Sequence, residues 1–195
     1  MKIYFVTKNK YKIDELCGYL EHFKVREHLS FDLRTVERAV QEILHRDINV
    51  IVRRKALEAY EDLGVPCVVE HGGLFMDALP GLPGGIGQLM WDAVGDRMCG
   101  FLNPDDSRRA VARSVIGYCD GRQIWTYGGE TWGHVTEARR GKYAFNWDPI
   151  FVPDECEETY GEMGPERKRA TSPAVKAWDA FLSAQFPGEW PPPRA

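Results

Sequence analysis

Glu70 ends a mostly apolar run, residues 65–70, that is typical of a buried strand, and His71 follows it directly. Two glycines and a proline–glycine run (80–84) follow, so the pattern predicts that the strand ends at this acid and imidazole. α/β proteins place ligands where strands end in polar residues and glycines. An imidazole titrates near neutral pH, so the two side chains form a candidate catalytic pair for acid–base chemistry.

Carboxylates from separate segments could also form a metal site with Glu70. Glu42 and Asp47 both precede a predicted helix, and acids converging in this way suit Mg²⁺, a hard ion that takes oxygen ligands. The alternative for any single exposed acid is a solvated surface position, which is the commoner outcome.

A phosphate site is indicated between the first predicted strand and the first predicted helix. Thr7, Lys8, Asn9 and Lys12 lie there, and free backbone N–H groups at a helix start attract anions. Added lysines strengthen that attraction. The alternative is a solvated N-terminal turn with its lysines in water.

A planar ring could bind near Phe145, Trp147 and Asp148, because aromatic faces stack on rings and a carboxylate accepts from ring N–H groups. The alternative is a core loop with an Asp-Pro turn. A basic cluster, residues 166–169, precedes the last predicted helix. It could bind phosphate or lie in solvent.

The elements that must position these groups alternate between strands and helices, which predicts an α/β fold with an antiparallel second half. Thr7 or Asn9 caps the first helix, Gly64 ends the second, and turns are expected at 120–121 and 128–129. The predicted strands are 2–7, 65–70, 111–119, 123–127 and 131–136, and the predicted helices include 48–63, 88–102 (at least in part) and one from Ser172-Pro173 to 181.

Composition excludes several classes of protein. The 195 residues carry a net charge of −4, which does not suit a general nucleic-acid coat. No segment reaches the length of a membrane span, and the start lacks a signal-peptide pattern. Five scattered cysteines without a C-x-x-C pair predict reduced thiols in the cytoplasm. We expect a single domain over 1–187 and a proline-rich tail over 188–195.

In their order along nearly the whole chain, these segments resemble the inosine triphosphate pyrophosphatase family. The family's T-x-N-x-x-K loop matches Thr7, Asn9 and Lys12, and its acid-containing P-E-I-Q-like stretch is similar to residues 40–43. Four further motifs match in the family's order. They are E-D-S-G-L at residues 70–74, D-A-L followed by G-x-P-G at 77–84, F-G-W/Y-D-P-x-F at 145–151, and T-x-x-E-M at 159–163.

The resemblance implies a two-lobed, elongated α/β fold with a mixed sheet, helices on its faces and a nucleotide cleft between the lobes. It also implies a homodimer and Mg²⁺-dependent hydrolysis of inosine- and xanthosine-type (d)NTPs to the monophosphate and pyrophosphate. The implied roles are triphosphate binding by Thr7, Lys8, Asn9, Lys12 and Lys168, base binding by Phe145, Trp147, Asp148 and Ser172, metal binding by Glu42 and Glu70, and catalysis by Glu70 and His71.

Two departures bear on that activity. His71 occupies the position of the family's catalytic Asp, and a neutral imidazole binds Mg²⁺ poorly. Pro173 and Ala174 replace a His-Arg pair that the family is expected to use to read the six-position oxygen of the purine.

Three hypotheses follow from the retained and lost groups. In the first, the chain binds a purine (d)NTP such as dITP with little or no hydrolysis, as a sensor that signals to a separate effector protein in bacterial stress or anti-phage defence. In the second, it is an active pyrophosphatase that uses His71 or Glu70 as the base. In the third, it is an interaction module without nucleotide binding.

Overall fold

The structure is a computed structural model that describes residues 1–143, 145–188 and 190. Its strands are β1 (Lys2–Val6), β2 (Asp32–Val36), β3 (Cys67–Met76), β4 (Pro83–Gly84), β5 (Arg109–Cys119), β6 (Ile124–Val135) and β7 (Phe151–Pro153). Its α-helices are α1 (Lys10–His22), α2 (Ile48–Leu63), α3 (Gly87–Val94), α4 (Tyr160–Lys168) and α5 (Pro173–Gln185).

Within the described residues the strands form one mixed sheet in the order β2-β1-β3-β5-β6-β7, with β4 pairing with β3 alone. β1 runs parallel to both β2 and β3, whereas the pairs β3–β5, β5–β6 and β6–β7 are antiparallel. The predicted α/β fold and its antiparallel second half are therefore confirmed. The strand β2 and the helix α4 were not among the predicted elements.

The start of α1 and the bounds of α2 agree with the sequence predictions. Asn9 caps α1 by accepting from the Tyr11 N–H at 3.0 Å. Asp47 caps α2, and Gly64 ends α2 in the left-handed conformation with a φ of 65°. Glycine takes that conformation without the steric cost that a Cβ atom would impose. The predicted helix 88–102 is divided into α3 and a 3-10 helix over Gly95–Phe101.

Two predictions based on glycines were wrong. β3 does not end at residues 70–71 but continues to Met76, and β6 runs through the expected turn at 128–129. One glycine in each strand permits close packing, because a Cβ atom at Gly73 would lie 2.6 Å from the Gly84 carbonyl oxygen and one at Gly129 would collide with the backbone of α5. A glycine in a strand here marks a near neighbour rather than a turn.

Three apolar clusters stabilise the fold around this sheet. One packs α1 and α5 against β1 and β5, a second packs α2 against β3 and β5, and a third joins β3, β5 and β7 to α4. Trp190 is buried in the first cluster and donates to Asp179 at 2.8 Å, so the segment predicted as a tail contains a packed residue. Residue 189 and residues 191–195 of that segment lie outside the described part.

All five cysteines are free thiols, as predicted. No helix among the described residues is both long enough and apolar enough to cross a membrane.

Candidate functional site

A cleft of about 600 Å³ opens where the parallel and antiparallel parts of the sheet meet. All the residues to which the family resemblance assigns a role line it: Thr7, Lys8, Asn9, Lys12, Glu42, Glu70, His71, Phe145, Trp147, Asp148, Lys168 and Ser172. Asp47 does not, because its side chain is used to cap α2. Residues from distant parts of the chain therefore share one cavity.

The segment from Thr7 to Lys12 is ordered by its own hydrogen bonds. The Thr7 hydroxyl accepts from the Asn9 N–H at 3.1 Å, and Asn9 in turn caps α1. Lys8 and Lys12 thus line the cleft on either side of the start of α1. This arrangement favours an anion such as a phosphate chain.

Glu70 lies on β3 at the floor of the cleft and has both carboxylate oxygens occupied. Oε2 is 2.8 Å from the Lys12 ammonium, and Oε1 accepts from the Ser114 hydroxyl at 2.7 Å. Burial alone would raise the pKa of Glu70, but Lys12 and Ser114 hold that pKa below its ordinary value. The carboxylate is therefore ionised and fully paired at neutral pH.

Glu42 faces His71 and Lys55 at the rim of the cleft. Its Oε1 lies 3.6 Å from His71 Nδ1 and 2.5 Å from the Lys55 ammonium. The facing His71 ring and Lys55 hold the pKa of Glu42 well below its ordinary value. The ring contact is longer than a hydrogen bond, so Lys55 is the stronger partner.

His71 is buried and positioned by a hydrogen bond between its Nε2 and the Gly85 carbonyl oxygen at 2.7 Å. Because a carbonyl can only accept, Nε2 carries a proton and donates it. Nδ1 has no hydrogen-bond partner. The ring is thus fixed against the β4–α3 connection, with its unbonded nitrogen turned toward Glu42.

The donor set fits a metal ion only in part. Among the described residues no group of three or more His, Cys, Asp and Glu side chains is arranged to hold one. Mg²⁺ in nucleotide enzymes is often held by one or two carboxylates together with phosphate oxygens. Glu42, at the rim and half-exposed, fits that role better than Glu70, whose oxygens are already occupied.

At the other end of the cleft Asp148 and Lys168 form a buried ion pair. The Lys168 ammonium donates to both carboxylate oxygens of Asp148, at 2.9 and 3.1 Å, and lies 3.9 Å from Glu15. Burial raises the pKa of Asp148 to about 6, despite the neighbouring ammonium. Lys168 thus lies beside the predicted ring-binding loop and near Glu15 of α1.

Ser172 and Trp147 also have structural roles at this end. The Ser172 hydroxyl caps α5 and donates to Glu15 at 2.7 Å. Trp147 is buried in the third apolar cluster, where its ring comes close to Gly72 and Gly87. Phe145 is only half-buried, and its ring lies 5.2 Å from the Lys168 ammonium.

Among the cleft residues missed from the sequence are Lys55, Ser114 and Glu15, which pair with predicted site residues. Lys55 carried a readable signal, because it falls on the apolar face of α2 four residues after Ile51 and three after Val52. A lysine on a buried face needs partners, and it has them in the Glu42 carboxylate and the Glu70 backbone carbonyl, at 3.2 Å.

Comparison with known proteins identifies close relatives. The family model described as the Ham1 family matches residues 3–184. The chain is 31% identical over 193 residues to a dITP/XTP pyrophosphatase of Pyrococcus horikoshii, covering 93% of this chain and 95% of the relative. It is 36% identical to inosine triphosphate pyrophosphatase 2 of Trypanosoma cruzi over 188 residues, covering 95% and 92% of the two chains.

Solved structures agree on the fold. A nucleoside-triphosphatase, dITP/XTP pyrophosphatase, from Mycobacterium abscessus superposes with a TM-score of 0.70 at 25% identity, covering 96% of this chain and all of the other. A HAM1 protein from Coxiella burnetii superposes with a TM-score of 0.78 at 21% identity, covering 95% and 98%. The second likeness concerns the fold alone.

Proposed function

The chain belongs to the Ham1 family, and on that premise we propose that it binds non-canonical purine nucleoside triphosphates such as (d)ITP in its cleft. This function is supported by the different side chains at the two ends of the cleft. Lys8, Lys12 and Lys55 gather at one end, where a triphosphate needs cations. Asp148 and Lys168, at the other end, offer an acceptor and a donor to a purine edge.

The proposal includes weak or absent hydrolysis. A carboxylate at position 71, as the family resemblance implies, would add negative charge beside the phosphates and could accept a proton from water. His71 instead donates through Nε2 to Gly85, and both oxygens of Glu70 are taken by Lys12 and Ser114. Loss of one electrostatic catalytic group costs on the order of a hundredfold in rate.

A protein that keeps its nucleotide-binding residues but lacks the catalytic carboxylate at position 71 could act as a sensor. We place it in the cytoplasm as a homodimer that binds the nucleotide with Mg²⁺ and signals to an effector protein, in a stress or anti-phage response. The nucleotide can bias such a partner only if it binds one conformational state of the sensor better than the other.

A second candidate function is an active pyrophosphatase that releases pyrophosphate and the monophosphate. The unbonded Nδ1 of His71 favours it, because His71 lines the cleft and this nitrogen, although buried, has no partner and could take a proton from a water that reaches it. Metal ions would supply charge stabilisation to the phosphates in either case.

The test pairs calorimetry with a pyrophosphate assay on the same protein, using ITP, dITP, XTP and the canonical nucleotides with Mg²⁺. We expect dITP binding without turnover in the wild type, and pyrophosphate release raised about a hundredfold in His71→Asp. His71→Asn is the control, because it shortens the side chain in the same way without adding a charge. Steady release by the wild type would support the second candidate instead, and absence of nucleotide binding would contradict both.

A further inference from the structure

A large aromatic side chain stands exposed beside the cleft without a role in the function proposed above. Tyr11 is the second residue of α1 and is 58% exposed. Its ring stacks on that of Phe145, with the centroids 5.1 Å apart and the planes inclined by 26°. Among the described residues it is the one aromatic ring that stacks on Phe145.

The stack leaves one face of Phe145 directed into the cleft. The Lys168 ammonium lies 5.2 Å from the same ring, and its side chain is only 13% exposed. A stacked tyrosine covers most of one ring face. Phe145 lines the cleft and Tyr11 does not. Tyr11 therefore supports Phe145 from the solvent side.

The backbone of Tyr11 is fixed by the candidate phosphate segment. Its N–H donates to the Asn9 side chain at 3.0 Å, and the next residue, Lys12, reaches Glu70. Phe145 belongs to a different part of the chain, next to Asn146 with its left-handed φ of 49°. The stack is thus a direct connection between the phosphate end of the cleft and the ring-binding end.

We propose that Tyr11 is a positioning residue for the nucleotide base, acting through Phe145. It holds the Phe145 ring at the orientation in which the inner face can stack on a purine beside Asp148 and Lys168. The inference rests on the proposed nucleotide binding and adds a residue to it. A stacked aromatic pair contributes roughly 0.5–1.5 kcal/mol, which corresponds to a two- to tenfold change in affinity.

The experiment measures the affinities of dITP and of inorganic tripolyphosphate by calorimetry for the full chain and four variants: Tyr11→Ala, Tyr11→Phe, Phe145→Ala and the double variant Tyr11→Ala/Phe145→Ala. We expect Tyr11→Ala to weaken dITP binding roughly two- to tenfold, with tripolyphosphate binding unchanged. Tyr11→Phe retains the ring and restores dITP affinity. In the Phe145→Ala background, Tyr11→Ala has no further effect, because its target is gone.

Trp132→Ala is the matched control, since Trp132 is 43% exposed, contacts Arg109 and does not line the cleft. Unchanged dITP binding by Tyr11→Ala would overturn the inference while leaving nucleotide binding intact. An equal loss for dITP and tripolyphosphate, or a further loss in the Phe145→Ala background, would overturn it as well. A wild type that binds no nucleotide would contradict the proposed function and the role of Tyr11 together.

Discussion

The two ends of the cleft differ in their balance of positive and negative side chains. The residues proposed for the phosphate end are three lysines, Lys8, Lys12 and Lys55, and two carboxylates, Glu42 and Glu70. Two arginines and one further acid, Arg38, Arg113 and Asp92, also line the cleft. At the base end a single cation, Lys168, lies between Asp148 and Glu15. The first end has an excess of positive charge and the second an excess of negative charge.

This difference explains how one cavity can orient a nucleotide. A triphosphate is attracted to the cationic end and repelled by the acidic one, whereas an uncharged purine presents N–H donors that a carboxylate can accept. The orientation follows from the charges alone, before any shape is considered. Each prediction below alters one end and compares a nucleotide with tripolyphosphate, which lacks the base.

Lys55→Met should have the largest effect, because it removes the excess cation of the phosphate end. We expect the affinity for both dITP and tripolyphosphate to fall roughly ten- to hundredfold, the value of a charge-assisted hydrogen bond to phosphate. Stability should change less, since burial and the nearby Lys12 ammonium already lower the pKa of Lys55 and make its charge costly. Calorimetry with both ligands measures the first effect and urea unfolding the second.

Lys2→Met is the control for Lys55, because Lys2 is exposed on β1 and does not line the cleft. If Lys55→Met weakened dITP but left tripolyphosphate binding unchanged, Lys55 would serve the base rather than the phosphates. The proposed separation of the two ends would then be wrong.

Sequence patterns predicted the elements around the cleft better than they predicted its internal contacts. The spacing of apolar residues in α2 and the caps at Asp47 and Gly64 are local features, so the bounds of that helix could be read directly. The glycines of β3 and β6 are different. Whether a glycine makes a turn or admits a neighbouring backbone depends on segments distant in the chain, here β4 and α5, which no local pattern contains.

The same limit applies to the site. The sequence indicated that Glu70, Asp148 and Lys168 have chemical roles, but not that Lys168 pairs with Asp148, twenty residues away. Nor did it reveal that Ser114 and Lys12 occupy both oxygens of Glu70. Such pairings arise from sheet register and helix packing, and they decide which carboxylate remains available for chemistry.

The second-largest effect should come from lowering the pH, which changes the charge of Asp148 at the base end of the cleft. The pKa of Asp148 is raised to about 6 by burial, so this carboxylate is ionised at pH 7 and mostly protonated at pH 5. If ionised Asp148 accepts from the purine, dITP affinity relative to tripolyphosphate falls about tenfold at pH 5. Asp148→Asn should remove this relative pH dependence, as measured by calorimetry at both pH values.

The contribution of Asp148 to stability has the opposite sign. Because its pKa is higher in the folded chain than the ordinary value of 3.8, it stabilises the fold below about pH 4, and that contribution is lost as the pH rises through 6. Urea unfolding of wild type and Asp148→Asn between pH 4 and 7 measures this difference. A fall in dITP affinity caused by acid unfolding would instead appear equally for tripolyphosphate.

The smallest predicted effects come from two serines in matching positions. Ser114 donates to Glu70 and Ser172 donates to Glu15, each at 2.7 Å, so alanine removes the same bond at opposite ends of the cleft. We expect Ser114→Ala to weaken the binding of dITP and of tripolyphosphate equally, by about two- to threefold. We expect Ser172→Ala to weaken the binding of dITP alone, by a similar factor. Both effects are small because each serine acts on the ligand only through the carboxylate to which it donates. Ser172→Ala should also lower the free energy of unfolding by about 1 kcal/mol, since Ser172 caps α5. Calorimetry with both ligands separates these outcomes, because equal losses for both ligands in both variants would mean that the cleft acts as one charged cavity without distinct ends.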